Sequence, residues 1–116
     1  MSKKKEGNNF VKKYLDRKNY EILEENFKVA DAIIPFIARK NGEIHFIDTK
    51  IRRAHAGFPE YTITNSKRAY YEGLMLTYVI KNRPASGRIG FDIISVIIID
   101  DATASLRHHS DVLAEN

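Results

Sequence analysis

The chain has 116 residues, 43% hydrophobic and 29% charged, with a formal net charge of +4; this is the length of one domain with one core and the balance of a folded chain rather than a disordered one. It contains no cysteine, which excludes disulfides, thiol nucleophiles, thiolate zinc sites and iron–sulfur ligation, and leaves oxygen and imidazole as its own metal ligands. The longest apolar run, Ile93 to Ile99, is interrupted by Ser95 and is far shorter than the ~20 residues of a spanning helix; with no apolar signal-like segment behind the opening lysines, the expected setting is cytoplasmic, without a membrane partner.

The basic excess is uneven. Lys3, Lys4, Lys5, Lys12, Lys13, Arg17 and Lys18 face only Glu6 and Asp16 over the same stretch, and Lys50, Arg52, Arg53, Lys67 and Arg68 form a second grouping. Clustered cations suit a polyanion, because phosphate contacts and counterion release supply much of nucleic-acid affinity. The same charges also serve an ordinary solvated surface.

In chain order, residues 1–7 read as a flexible basic lead-in. Asn8 or Asn9 then offers a cap, and Phe10, Val11, Tyr14 and Leu15 recur at helical spacing up to Lys18-Asn19. A strand is expected over residues 20–24. Residues 29–38 are apolar and β-branched, with Pro35 pointing to an edge or a bulge. Lys40-Asn41-Gly42 has the chemistry of a tight hairpin turn, so residues 43–52 form an antiparallel return strand.

After a Gly57-Phe58-Pro59-Glu60 loop, Thr64-Asn65-Ser66 offers caps for a second helix. Its expected buried stripe is Ala69, Tyr70, Leu74, Thr77 and Tyr78, with Gly73 permitting close approach, and it ends at residues 82–87. Phe91 to Ile99 is so continuously apolar that a central strand buried on both faces is expected. Residues 8–100 thus form an α/β domain of order α–β–β–β–α–β, with residues 101–116 a short final strand or a loose tail.

Ile47-Asp48-Thr49-Lys50 is the segment most suggestive of chemistry. On a strand the period of two places Asp48 and Lys50 on one face, and Asp31, on the expected partner strand, is the carboxylate that would approach Asp48. Two carboxylates at one end of a sheet suit Mg²⁺ or Mn²⁺, with water completing the shell. Such an ion activates a water against a phosphodiester while Lys50 supports developing charge. The bland alternative is an exposed Asp48–Lys50 pair and a polar strand end at Asp31.

The pieces Tyr14-Leu15, Asn19-Tyr20-Glu21-Ile22-Leu23, Asn26-Phe27, Ile47-Asp48-Thr49-Lys50 with Arg52, Gly57-Phe58-Pro59-Glu60, residues 62–67 and Gly90-Phe91-Asp92-Ile93-Ile94-Ser95-Val96 occur in order. In these the chain from Gly7 to about Val96 resembles the YraN family, small bacterial proteins assigned to the restriction-endonuclease-like, Holliday-junction-resolvase-like nuclease superfamily. The resemblance implies a restriction-endonuclease-like fold, a central mixed β-sheet flanked by helices. It places Asp31, Asp48 and Lys50 on catalytic positions, with Asp31 and Asp48 as metal ligands. It implies a Mg²⁺- or Mn²⁺-dependent endonuclease acting on branched or structured DNA. The family has a glutamate after the glycine of the first helix, where this chain has Gly7-Asn8; Asn8 offers only an uncharged carbonyl, which weakens hard-metal binding. The alternatives are a catalytically weak or inactive nucleic-acid-binding module and a protein-interaction subunit, for instance a homodimer.

Arg52, Arg53, Lys67 and Arg68 are the candidates for phosphate contacts that position a nucleic acid without reading bases. Tyr71 is the more exposed of two tyrosines able to stack on an unpaired base, and Tyr70 the core residue. His45 points away from Asp48 on a regular strand and is a poor ligand. His55 lies in a loop close in sequence, His108-His109 reads as ordinary surface, and Asp92 either buttresses a loop or joins the chemistry.

Overall fold

A computed structural model describes residues 2–84 and 87–114 of the chain. Helix α1 (Lys3–Arg17) begins where Ser2 accepts a hydrogen bond from the Lys5 N–H at 3.2 Å, an N-cap that satisfies one of the orphan donors of the first turn. The opening lysines are therefore helical rather than a loose lead-in, and Asn8 and Asn9 lie inside the helix. The helix start is marked by the serine and by a buried stripe, Gly7, Val11 and Leu15, that begins one turn before the apolar residues. Gly7 is required there: a Cβ at this position would meet the Ile51 side chain at 2.5 Å, so α1 rests with its backbone against the strand beneath.

Five strands follow around a second helix: β1 (Glu21–Val29), β2 (Ala32–Lys40), β3 (Glu43–Arg53), then a short 3-10 turn (Ala54–Ala56), α2 (Asn65–Asn82), β4 (Ile89–Asp100) and β5 (Thr103–His109). They form one mixed sheet in the order β1-β2-β3-β4-β5, antiparallel except for the β3–β4 pair, which is parallel and is connected through α2. The stretch after Asp100 is thus in large part a paired strand. The hairpin between β2 and β3 turns at Asn41 and Gly42, with φ of 52° and 77°. Both values lie in the left-handed region that these residue types tolerate.

Each face of the sheet carries a core. One holds Phe27, Ile37, Phe46, Phe91 and Ile93 under Tyr71, Leu74, Met75 and Tyr78 of α2. The other holds Phe36, Ile47, Ile94, Val96 and Ile98 under Val11 and Leu15 of α1. Strand β4, between two neighbours and under two helices, is buried along most of its length, as its unbroken apolar run predicts. The α2 stripe is rotated from the expected one. Tyr71 is 5% exposed and Tyr70 is 51% exposed, because Tyr71, Leu74, Met75 and Tyr78 make the continuous i, i+3, i+4, i+7 face.

Pro35 is not on an edge strand, since β2 lies between β1 and β3. It marks an irregularity instead. Ile34 packs in the same core as Ile37, whereas Phe36 packs in the opposite one, so the alternation of faces breaks across the proline. On the β1 side the rung between Asn26, whose φ is 54°, and Pro35 is missing without a change of register. On the β3 side the ladder ends at Phe36↔Ile47. Proline has no N–H to offer a ladder, and beyond it β3 is paired only with β4.

Candidate functional site

Asp48 follows Ile47, the last β3 residue paired with β2, and so stands on the stretch of β3 whose second edge is released. Its side chain is on the α2 side of the sheet. Asp48 Oδ2 lies 3.2 Å from Lys50 Nζ and accepts from the Tyr71 hydroxyl at 3.3 Å, while Oδ1 accepts from the Thr49 N–H at 2.9 Å. The pairing of Asp48 and Lys50 on one face is thus present, at 21% and 31% side-chain exposure. Burial and the Asp48 charge push the Tyr71 phenol well above its ordinary pKa, so Tyr71 serves here as a donor and not as a base.

Asp31 is elsewhere. It is exposed in the turn joining β1 to β2 and precedes the first residue of β2. Continuing the Phe36↔Ile47 register would set Pro35 opposite Asp48 and Arg52 opposite Asp31. On that extrapolated register the two aspartates would be four residues out of step, about 13 Å along the strand direction. The strand begins later than its apolar run suggested. Asn8 does not supply a ligand either: its carbonyl accepts from the Thr49 hydroxyl at 2.7 Å, and Thr49 points to the face opposite Asp48 by strand alternation.

A hard divalent cation takes six or more oxygens, several of them anionic. Of the two groups expected to join Asp48, Asp31 lies in the β1–β2 turn and Asn8 bonds Thr49 on the other face of the sheet. Among the described residues no group of three or more His, Asp or Glu is placed to hold a metal. These residues do not fit Mg²⁺ or Mn²⁺.

Beside Lys50 opens a cleft of about 280 Å³ lined by Lys3, Lys4, Thr49, Lys50, Arg52 and Glu60, among others. It brings together the two basic groupings that are far apart in sequence. Lys3, Lys4 and Lys5 sit in the first turn of α1 with Glu6 as its one acid, and the first turn of α2 has no acid at all and carries Lys67 and Arg68. Cations there oppose the positive end of the helix dipole, typically at 0.3–1 kcal/mol each. Among the four candidate phosphate-binding residues, Arg53 is held by Glu6 at 3.1 Å and Arg68 donates to the Leu113 carbonyl. Arg52 and Lys67 are exposed, and no side-chain partner is present for either among the described residues.

A second polar cluster, on the α1 side, was not legible as one. Asp92, fully buried, takes hydrogen bonds on Oδ2 from His45 Nδ1 at 2.9 Å and His108 Nε2 at 2.8 Å, and on Oδ1 from the Asp111 N–H at 2.9 Å. The Tyr14 hydroxyl reaches His108 Nδ1 at 2.8 Å. Burial alone would raise the Asp92 carboxyl, but the two histidines and the Asp111 amide bring it well below the ordinary carboxylate range. His108 is therefore no surface residue, and Asp92 buttresses the segment after β5. His45 does point away from Asp48. His55 is exposed in the 3-10 turn.

No described helix is long and apolar enough to cross a membrane. The family model described as "Uncharacterised protein family UPF0102" matches residues 7–96. The chain is similar to a UPF0102 protein of Geobacter metallireducens, 33% identical over 91 residues, covering 78% of this chain and 75% of the relative. A UPF0102 protein of Clostridioides difficile is 33% identical over 95 residues, 81% and 83% of the two chains. One of Dictyoglomus thermophilum is 30% identical over 93 residues, 79% of each.

Proposed function

We propose a function for this chain from two premises: it belongs to the UPF0102 family, which is the YraN family, and its cationic cleft is more complete than its carboxylate site. The reading is a nucleic-acid-binding module built on a restriction-endonuclease-like fold, in which the metal-dependent cleavage expected of that fold is weak or lost. Its ligand is DNA, branched or otherwise structured, engaged through phosphates.

The observation that carries this reading is the surroundings of Asp48. Its oxygens are occupied by Lys50, Tyr71 and the Thr49 amide, while Asp31 lies in the β1–β2 turn and Asn8 bonds Thr49 on the opposite face. Fold does not dictate chemistry; phosphate binding needs only the cations, and these line one cleft on Lys3, Lys4, Lys50 and Arg52. A polyanion there also relieves the unfavourable placement of lysines at the α1 N-terminus.

The Asp48–Lys50 pair on one face favours one second reading, a working nuclease that borrows its missing acid, and a single experiment separates the two. Duplex, flap, single-stranded and four-way-junction DNA are offered over a salt series, with and without Mg²⁺ or Mn²⁺. The expected result is binding that weakens with salt, a log–log slope reduced by about 1 in Arg52→Ala, and no cleavage. Metal-dependent cleavage that disappears in Asp48→Ala would instead establish the nuclease. Absence of salt-sensitive binding to all four DNAs would remove the nucleic-acid reading and leave a protein-interaction subunit.

A further inference from the structure

We propose that residues 110–114 form a pH-latched strap over the Phe91 end of β4, and that the latch is the Asp92 carboxylate clamped between His45 and His108.

The strap is held by three hydrogen bonds from outside itself. The Asp111 N–H donates to Asp92 Oδ1 at 2.9 Å, the Val112 N–H donates to the Phe91 carbonyl at 2.8 Å, and Arg68 of α2 donates to the Leu113 carbonyl. Val112 and Leu113 pack against the core under α2. Asp111 turns the chain into this path with φ of 55°, a left-handed conformation that aspartate tolerates at some cost. Between strap and helix lies a cleft of about 440 Å³ whose wall includes Met75, Phe91 and Leu113. Release of the strap opens that cleft and exposes Met75 and Phe91, both buried when it is closed.

The latch is sensitive to protons because Asp92 is an anion with no access to water. A buried charge is tolerated only when paired and hydrogen-bonded. His108 Nε2–H donates to Asp92 at 2.8 Å, and its Nδ1 lies 2.8 Å from the Tyr14 hydroxyl. His45 is different. Its Nδ1–H donates to Asp92, and its Nε2 faces Glu43 at 3.9 Å, so a second ring proton finds a second carboxylate. The hydrogen bond to Asp92, reinforced by the Asp92, Glu43 and Asp111 charges against the effect of burial, holds the His45 pKa above its ordinary 6.5.

The other ionisable groups around the latch come from every neighbouring element. Tyr14 on α1 has Arg17 within electrostatic reach. Tyr20 lies just before β1, edge-on to His45 at 5.4 Å, with Lys40 of β2 over its ring at 4.9 Å. Arg88 spans Glu43 and Asp111 at 3.7 and 3.6 Å. None of these cations touches Asp92, and of the rings that do, His45 is the one whose other nitrogen faces a second carboxylate.

The signs follow. A histidine with a raised folded-state pKa contributes stability that is complete below 6.5 and is lost as pH rises through the folded value. An aspartate with a lowered pKa contributes stability present above its ordinary 3.8 and lost as pH falls through its folded value. The strap is therefore tightest at mildly acidic pH and loosens toward alkaline pH, through loss of one proton.

Amide hydrogen exchange on the full chain between pH 5.5 and 9, corrected for intrinsic exchange, reads the opening of residues 111–114 directly. The opening constant is expected to rise with pH by up to tenfold per unit, with its midpoint at the His45 ring titration followed by NMR. In His45→Asn, which keeps a donor toward Asp92 and removes the charge, the rise disappears. A wild-type opening constant that does not change from pH 6 to 9, or an undiminished slope in His45→Asn, overturns the proposal. So does a wild-type midpoint that differs from the His45 titration, a result that requires no variant to fold.

Discussion

Two aspartates on neighbouring strands of the same sheet have opposite circumstances. Asp92 is fully buried and meets two histidines and a backbone amide. Asp48 is part-exposed and meets a lysine, a tyrosine and its neighbour's amide. The buried carboxylate joins β3, β4, β5, α1 and the following segment into one assembly, whereas the other stands where β2 has left the ladder and a basic cleft begins. A carboxylate's degree of burial, more than its place in a short motif, decides here which one ties the structure together and which one borders the basic cleft.

That contrast can be broken from its strong side first. Asp92→Ala removes the acceptor shared by three donors and strands them in the interior; breaking a buried charged set of this kind costs about 3–5 kcal/mol. The expected outcome is a large drop in the urea midpoint at pH 6. A loss below about 1 kcal/mol would place the network among the dispensable polar clusters. Tyr14→Phe deletes only the outermost hydroxyl of the same network, and the expected loss is about 1 kcal/mol, in the range of one hydrogen bond. Asp48→Asn acts on a part-exposed ion pair and is expected to change stability by less than about 1 kcal/mol. If its unfolding midpoint shifted as far as that of Asp92→Ala, the distinction between the two sites would fail.

Local chemistry was the part of the fold that the sequence displayed well. Asn41-Gly42 announced its turn because few other pairs adopt two consecutive positive φ angles. The run from Phe91 to Ile99 announced a central strand because only burial on two faces tolerates it. Other features depended on phase or on distant partners. Tyr70 and Tyr71 both suit an apolar stripe until the direction of the core is known. Pro35 said that pairing would lapse, but not that it would lapse on both flanks of an interior strand.

The candidate site was legible to a similar degree. Asp48 and Lys50 were readable as a pair because strand alternation is local. The position of Asp31 depended on where β2 begins, which the apolar stretch before the turn concealed. The Asp92 network was hidden for another reason: His45, Asp92, His108 and Tyr14 come from four elements, and no spacing connects them. A buried aspartate at the start of an otherwise apolar strand, with histidines on two other predicted strands, was the one available hint.

The parallel pairing of β3 with β4 has a consequence for how the chain reaches this form. Ile44 pairs with Arg39 across a four-residue hairpin connection, but with Ile89 only after the whole of α2 has intervened. Closing the longer loop costs more entropy before any contact repays it. The expected order is that the β1–β2–β3 meander and the local β4–β5 hairpin form before the β3–β4 pairing that joins them. Until that pairing forms, the most apolar interior strand lacks one neighbour, so synthesis and refolding, rather than the finished molecule, are the period when self-association is expected.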